Sequence, residues 1–527
     1  MYQQTTLWEF MFNKAHIDKP IRLIELFAGI GSQHKALSVL CDYYKVPFES
    51  YKICEWAYNS IVGYNYIHIK DFKNYANDKT KEELIKRING ISLDYNTPYN
   101  KLDKKPIEWL QSAYNHCEAT HNLINIMNVK GEDLEIKDKH RFTYLLTYSF
   151  PCQDLSNAGL RKGMSVSQSE GGTRSGLLWE VERILKELKP RNELPQILLM
   201  ENVPEVIGKN NINDFQKWVK TLEDLGYQNY TNILKGNEFG IAQSRKRCFM
   251  ISVLGEVCFS WNKGWKNTRN LSDFLEDYVE LKYYLPCETI KKLQKWNTFQ
   301  KPLGHIEKDR ECCQTLTARG SHDLNASMVL VRQEVCKTYE GTYQFSKSEK
   351  FMHSKSRFNK GKQTSDTIQT SPKEAIVESV YTGLEQSLFT PDMNIRHYLW
   401  EETIEEFKEG QMATTSYPNG RGHGSRVHDE AIALTCHEIP SVKKNYLIRK
   451  ITPKESLRLM GFTDKDYYAL KDAGLSDRAI YHCAGDSIIV PCLIAILQPL
   501  FNESWGNWEH KKVIENYIET IIDKREE

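Results

Sequence analysis

Two rhythms alternate along the first half of the chain. Compact apolar runs are followed by turns, and the turns by apolar residues at helical spacing. IRLIEL (21–26) leads into FAGIGSQHKALSVL, and ESYKICE (49–55) leads into WAYNSIVGY. RFTYLLTYSF (141–150) and QILLMENV (196–203) read as two more buried strands. The amphipathic DFQKWVKTLEDLG (214–226) follows, then YTNILKG and the strand-like KRCFMISVL (246–254). Such alternation predicts an α/β fold around a mostly parallel sheet. Residues 66–130 interrupt it with a lysine-rich, polar stretch that includes the helical KTKEELIKRI, expected as an insertion on the sheet's rim.

From 258 to 447 the pattern changes to short β-like pieces, aromatics, lysines and glycines. CQTLTARG (313–320), SDTIQTS (365–371) and AIALTCH (431–437) recur there as similar strand-turn phrases. Helical patterning returns at ITPKESLRLMGF (451–462) and in IIVPCLIAILQPLF, an apolar helix expected to pack back on the first sheet. Residues 506–527 read as a charged surface helix. The expected division is therefore 1–257, a second, smaller domain over 258–447, and 448–527 returning to the first.

Composition narrows the function classes. A chain of 527 residues, 40% hydrophobic and 26% charged, is ordinary for a soluble globular protein. Its 13 cysteines show neither paired spacing nor flanking histidines, so a disulfide framework and a zinc site are not expected, and a reducing cytoplasm is. MYQQTTLWEF lacks the basic start and apolar core of a secretion signal. IIVPCLIAIL (488–497) is broken by proline and shorter than the ~20 residues of a membrane span. With a net charge of +1, nucleic acid would have to be bound by local basic patches.

Four short segments carry possible chemistry. FAGIGS (27–32) puts glycines at a strand-to-helix turn, where backbone can approach a ligand and the helix start faces it. The next strand ends in Glu55, the place of an acid that holds a ribose diol, and Trp56 either covers a purine or belongs to the core. FPCQDLS sets Cys152 at a strand's carboxyl end, opening the glycine- and serine-rich run 154–176, which has the length of a lid. MENV sets Glu201 near the end of an apolar strand, as a proton donor or as a residue at the solvent boundary. QSRKR (243–247) alternates Gln243, Arg245 and Arg247 on one side of an extended chain, so the arginines either converge on one target or form a solvated edge.

FAGIGS, FPCQDLS, MENV, QSRKR, ITPKESLRLMGF and AGDSIIVP, in this order, resemble the motif series of the DNA cytosine-C5 methyltransferases of prokaryotes and phages. The resemblance implies a Rossmann-like, S-adenosylmethionine-dependent catalytic domain and a target recognition domain at 258–447, with duplex DNA as partner, no metal and a monomer. It assigns Cys152 as the nucleophile adding to cytosine C6 and Glu201 to N3 and the exocyclic amine. Arg247 falls to O2, and Arg245 to support of the site and the phosphates. The cofactor falls to Phe27, Gly29, Gly31, Glu55, Trp56 and Ser487, with Asp133 of GEDL at the adenine amino group. Ser32, Asp486 and Ala242 depart from the family's commoner Gly, Asn and Pro.

Two other readings share much of this pattern. One is a tRNA-directed methyltransferase of the same fold, disfavoured by the long variable segment and a missing Cys-Phe-Thr signature. The other is a non-catalytic nucleic-acid-binding homologue, disfavoured by the intact Cys152, Glu201 and Arg247. Restriction-modification is the expected setting. Arg319, Arg357 and Arg426 are candidates for base or phosphate contacts.

Overall fold

The computed structural model describes residues 13–151, 174–243, 245–265, parts of 269–283, 451–501 and 509–523, and within 327–450 the backbones of short strands. Its centre is a six-stranded sheet built from β1 (Ile21–Leu26), β2 (Phe48–Cys54), β3 (Thr143–Tyr148), β4 (Ile197–Asn202), β5 (Tyr227–Lys235) and β6 (Lys246–Leu254), in the order β2-β1-β3-β4-β6-β5. The first four strands run parallel, whereas β6 is antiparallel to both of its neighbours. A single parallel bridge from Ile53 to Asn122 continues the sheet beyond β2. The order is that of the expected Rossmann-like fold.

Both faces of the sheet are covered, which explains why its strands read as unbroken apolar runs. Along β3, Leu145 points to one core while Tyr144, Leu146 and Tyr148 point to the other. Along β4, Ile197 and Leu199 share the first core and Leu198 and Met200 the second. Helix α1 (Ser32–Tyr44) covers the first face with Ala36, Leu37, Leu40 and Cys41, one stripe of the helix. The second face is covered by α5 (Leu178–Leu188) and α6 (Ile212–Leu225), the latter through Phe215, Trp218, Leu222 and Leu225. Each leucine, isoleucine, methionine or phenylalanine among these interior side chains contributes roughly 1.5–3 kcal/mol on burial.

The insertion has its own small core. Helices α3 (Lys81–Arg87) and α4 (Ile107–Ala119) bury Leu84, Leu110, Ala113 and Cys117 together with Ile61 of α2 (Tyr58–Tyr64). A capping box at Thr80 and Glu83 starts α3.

Within 327–450 two further sheets are present. One combines Ser327–Arg332, Gly341–Gln344, Arg357–Lys360, Lys373–Glu378 and Tyr446–Lys450; the other combines Met412–Ser416, Arg426–His428 and Glu438–Val442. Arg357 and Arg426 open two of these strands. Arg319 and the three recurring phrases lie outside the described residues.

The chain then returns to the first sheet. Helices α7 (Pro453–Arg458), α8 (Asp464–Asp472), α9 (Asp477–Asp486), α10 (Val490–Leu497) and α11 (Glu509–Ile522) follow. Every residue of α10 is buried in the core on the first face of the sheet, where the helix packs against α1 rather than directly on the strands. Asp477–Leu500 is apolar and long enough to cross a membrane by composition alone, but 83% of its apolar window is buried inside the protein. Helix α11 differs from the expected charged surface helix. Val513, Ile514, Tyr517, Ile518 and Ile521 repeat at helical spacing and are buried in the first core, so only its other side is solvated.

Candidate active site

The carboxyl ends of β1, β2, β3 and β4 meet along one rim, and there the two halves of the site are built. The first half starts where β1 ends. Phe27 has φ +62°, a left-handed conformation that costs a bulky residue about 1–2 kcal/mol, and its N–H donates to the Cys54 carbonyl at 2.8 Å. Gly29 and Gly31 follow at φ +56° and +78°. A Cβ on Gly31 would sit 2.6 Å from His68 Nε2 and 2.7 Å from Tyr64 Cε2, so the turn's underside is closed. Around Gly29 nothing lies within 4 Å of such an atom, so this side is open to a ligand.

Glu55 faces that turn. Its Oε2 accepts the Gly29 N–H at 2.8 Å and its Oε1 the Ala57 N–H at 2.7 Å. Burial pushes the Glu55 carboxyl above its ordinary range, against the pull of the two N–H donors, and the charge of Asp486 adds to the rise. Each carboxylate oxygen keeps a lone pair for a diol. Asn122, unmarked in the sequence, holds this acid in place. It accepts the Glu55 N–H at 3.0 Å and donates to the Glu55 carbonyl at 2.9 Å. Trp56 is half-buried, with its ring against the insertion's core and its carbonyl accepting the Ser92 N–H at 2.7 Å.

Beneath the turn, Glu25 is fully buried, accepts the hydroxyl of Tyr64, and has its carboxyl pushed up to about 8 by burial. Burial also holds His68 down to about 3, and its Nε2 meets the Ile30 carbonyl at 2.9 Å. These groups support the turn from behind. Ser32, one of the departures from the resemblance, is used. Its Oγ accepts the Ile488 N–H at 3.1 Å and so ties the start of α1 to the link between α9 and α10.

Ser487 ends α9, and its hydroxyl donates to the Cys483 carbonyl at 2.7 Å, which leaves its oxygen as an acceptor. Asp133 sits in the 131–134 turn, where its carboxylate accepts the Lys130 N–H at 2.8 Å. That turn is fastened to α5 by the Gly131 N–H on Glu187 at 2.7 Å. The chain leaving the Glu55 clamp is 122–126, with Ile124 at φ +65° and Asn125 capping the next turn. These residues lie beside Glu55 through the Asn122 bonds, whereas the bonds of Asp133 run to its own turn.

The second half of the site lies at the ends of β4 and β6. Glu201 and Arg247 are mostly buried and form an ion pair, Oε1 to Nε, of 3.0 Å. Asn202 donates to the Phe150 carbonyl at 3.0 Å, and the Val203 N–H donates to its Oδ1 at 2.8 Å. The strand carrying Glu201 is thereby fastened to the segment two residues before Cys152. Cys152 and most of the 154–176 run lie outside the described residues. Cys248, beside Glu201, has its thiol pushed up to about 12 by burial and by that carboxylate, too high for a nucleophile at neutral pH.

Neither arrangement left open for the two arginines, convergence on one target or a shared solvated edge, is seen. β6 begins only at Lys246, so strict alternation does not extend back to Arg245. Arg245 is buried and donates to the Gly485 carbonyl at 3.0 Å, while Arg247 turns to Glu201. Gln243, also buried, donates to the Leu459 carbonyl at 2.7 Å. Arg245 and Gln243 thus join the chain before β6 to the returning helices, and a phosphate contact by Arg245 does not fit so buried a guanidinium.

Known proteins are similar to this sequence. A family model for C-5 cytosine-specific DNA methylase matches residues 98–502. The orphan methyltransferase M.SssI of Spiroplasma monobiae is 36% identical over 301 residues, 55% of this chain and 73% of that protein. The type II methyltransferase M2.ScrFI of Lactococcus lactis subsp. cremoris is 36% identical over 271 residues, 50% of this chain and 70% of its own. The orphan methyltransferase M.Phi3TI of Bacillus phage phi3T is 24% identical over 470 residues, 79% of this chain and 94% of its own. The family model covers most of the chain, and the chain therefore belongs to the C-5 cytosine-specific DNA methylase family and is a DNA cytosine-5 methyltransferase.

Proposed function

We propose that the chain methylates C5 of a cytosine flipped out of a specific duplex DNA sequence, through a covalent bond between Cys152 and C6. The observation that carries this reading is the Glu201–Arg247 pair, fastened through Asn202 to the segment that leads into Cys152. Glu201 holds a proton at N3 and accepts from the exocyclic amine, and Arg247 donates to O2. Both contacts withdraw electron density as the Cys152 Sγ adds to C6, and the pair displaced from the C5=C6 bond makes C5 nucleophilic. After alkylation the C5 proton is lost, the C5=C6 bond re-forms and the Cys152 thiolate is expelled. Extrusion of the base costs a few kcal/mol, which contacts made outside the helix offset.

The methyl donor is S-adenosylmethionine, which supplies an electrophilic methyl group when bound. The open side of Gly29 beside the spare lone pairs of Glu55 fits its ribose, and Trp56, whose ring packs against the insertion's core, is assigned to the purine by the resemblance alone. Residues 258–447 are proposed as the target recognition domain, and cytoplasmic modification of bacterial or phage DNA as the setting. The type II and orphan names of the relatives favour a role in or beside restriction-modification.

The test is a duplex carrying 5-fluorocytosine within the target sequence, which bisulfite sequencing of DNA from expressing cells would first identify. With the donor present, a denaturation-resistant adduct at Cys152 is expected, and none with Cys152→Ala. Undiminished methylation by Cys152→Ala overturns the mechanism.

A further inference from the structure

The strand order reverses between β1 and β3, since β1 leads on to β2 on one side and β3 to β4 on the other, and this opens a crevice at their carboxyl ends. Leu26 and Tyr148 end these strands side by side, so the glycine turn and the segment that leads to Cys152 leave the sheet as neighbours. One buried amide spans them. Gln33, the second residue of α1, is 3% exposed, and its Nε2 donates to the Ser149 Oγ at 3.4 Å. The distance is at the long end for such a bond, which limits its effect to that of one modest contact.

Both ends of this link are held by their surroundings. The first turn of α1 is fixed on either side of Gln33: the Ile488 N–H donates to Ser32 Oγ at 3.1 Å, and the His34 N–H donates to Oε1 of the buried Glu25 at 3.3 Å. At the other end, Phe150 is buried in the second core and its carbonyl accepts from Asn202 at 3.0 Å. Pro151 follows, with φ set by its ring. Ser149 is therefore tied to the glycine turn and Phe150 to the strand carrying Glu201, so the chain entering Cys152 is fastened to both halves of the site. Burying a glutamine amide is unfavourable unless it is hydrogen-bonded, so an apolar residue would serve α1 better if packing were its whole task.

We propose that Gln33 is a positioning residue for methyl transfer, which through Ser149 sets where the chain leading to Cys152 lies relative to the cofactor turn. The inference rests on the reading of Cys152 as nucleophile given above. The sulfur adds to one ring carbon while the adjacent carbon takes the methyl group, so an error in the spacing of the two half-sites lowers the rate even when each binds its ligand normally. Gln33 acts through Ser149 and the backbone, not on the reacting atoms. Its removal therefore slows the bond-forming step and leaves the binding of the methyl donor nearly unchanged.

The experiment is a double-substitution cycle on the full chain with Gln33→Met and Ser149→Ala. It is read by single-turnover methylation of the target duplex, with S-adenosylmethionine affinity and melting temperature followed in parallel. Methionine keeps the length of the side chain but cannot donate. Each single substitution is expected to lower the single-turnover rate about three- to ten-fold, the weight of one hydrogen bond, with cofactor affinity changed by less than about two-fold. The two together are expected to lower the rate no further than either alone. Ser149→Thr, which keeps the hydroxyl, is expected to retain most of the rate. Losses that multiply in the double variant, an unchanged rate in Gln33→Met, or a loss confined to cofactor affinity or melting temperature overturns the proposal. An unchanged rate in Ser149→Ala does so even if Gln33→Met fails to fold. If the unaltered chain forms no adduct with a 5-fluorocytosine duplex, the Cys152 reading itself is wrong.

Discussion

Glu201 and Arg247 meet across two antiparallel strands, with Oε1 3.0 Å from Nε, and Glu201 is mostly buried. The carboxylate is thus oriented before any base arrives, and the guanidinium is held beside it at the same rim. Glu201→Gln and Arg247→Ala should each lower kcat by roughly 10²–10⁴-fold, the range for a positioned acid or base, with smaller changes in S-adenosylmethionine affinity. Single-turnover methylation together with dialysis separates the two effects; a loss confined to cofactor affinity would refute the assignment.

Asn202 is almost fully buried, and its amide joins the end of β4 to the Phe150 carbonyl. Asn202→Ala leaves that carbonyl and the Val203 N–H without this partner, a cost of about 1–3 kcal/mol each at a buried site. The expected result is a fall in adduct formation on a 5-fluorocytosine duplex that exceeds any fall in cofactor affinity, because only the segment leading to Cys152 is released.

Gly31 and Gly29 both have positive φ, yet their surroundings differ. Gly31→Ala adds a clash with His68 and Tyr64 to the conformational cost, together roughly 2–4 kcal/mol. Gly29→Ala carries only the conformational part, about 1–2 kcal/mol, but places a methyl group on the open side proposed above for the cofactor. Thermal melting should rank Gly31→Ala as the less stable variant, and each should weaken S-adenosylmethionine binding.

Glu25 introduces a pH dependence. Burial raises its carboxyl from 4.5 to about 8 in the folded protein. Between those values the folded state holds a proton that the unfolded state has released. The contribution of Glu25 to stability therefore falls as pH rises through this window, by up to about 1.4 kcal/mol per unit. Glu25→Gln, which removes the titration, should melt increasingly above the unaltered protein between pH 5 and pH 8.5. A gap independent of pH would refute the assignment.

Much of the scaffold was readable before any coordinates, for a physical reason. Strands buried on both faces are largely apolar, so IRLIEL, TYLLTY and ILLMEN stand out, and the glycine turn follows because glycine adopts positive φ at little cost and, at Gly31, is the residue that escapes the crowding. Glu55 was marked by its strand-end position, and the structure bonds it to the Gly29 N–H. Helix α11 was misread because its charged face dominates the composition while its apolar stripe is visible only at helical spacing.

The amino-acid sequence by itself determined the α/β plan, the glycine turn with its acid, and the ordered strand-end motifs, since each is set by short-range periodicity and local dihedral demands. Only the tertiary structure decided that Arg247 pairs with Glu201 while Arg245 turns inward to Gly485, that Asn122 clamps Glu55, and that Gln33 reaches Ser149. Those partners are separated by tens to hundreds of residues along the chain. Their meeting depends on how the sheet, the insertion and the returning helices pack, and no local pattern encodes it.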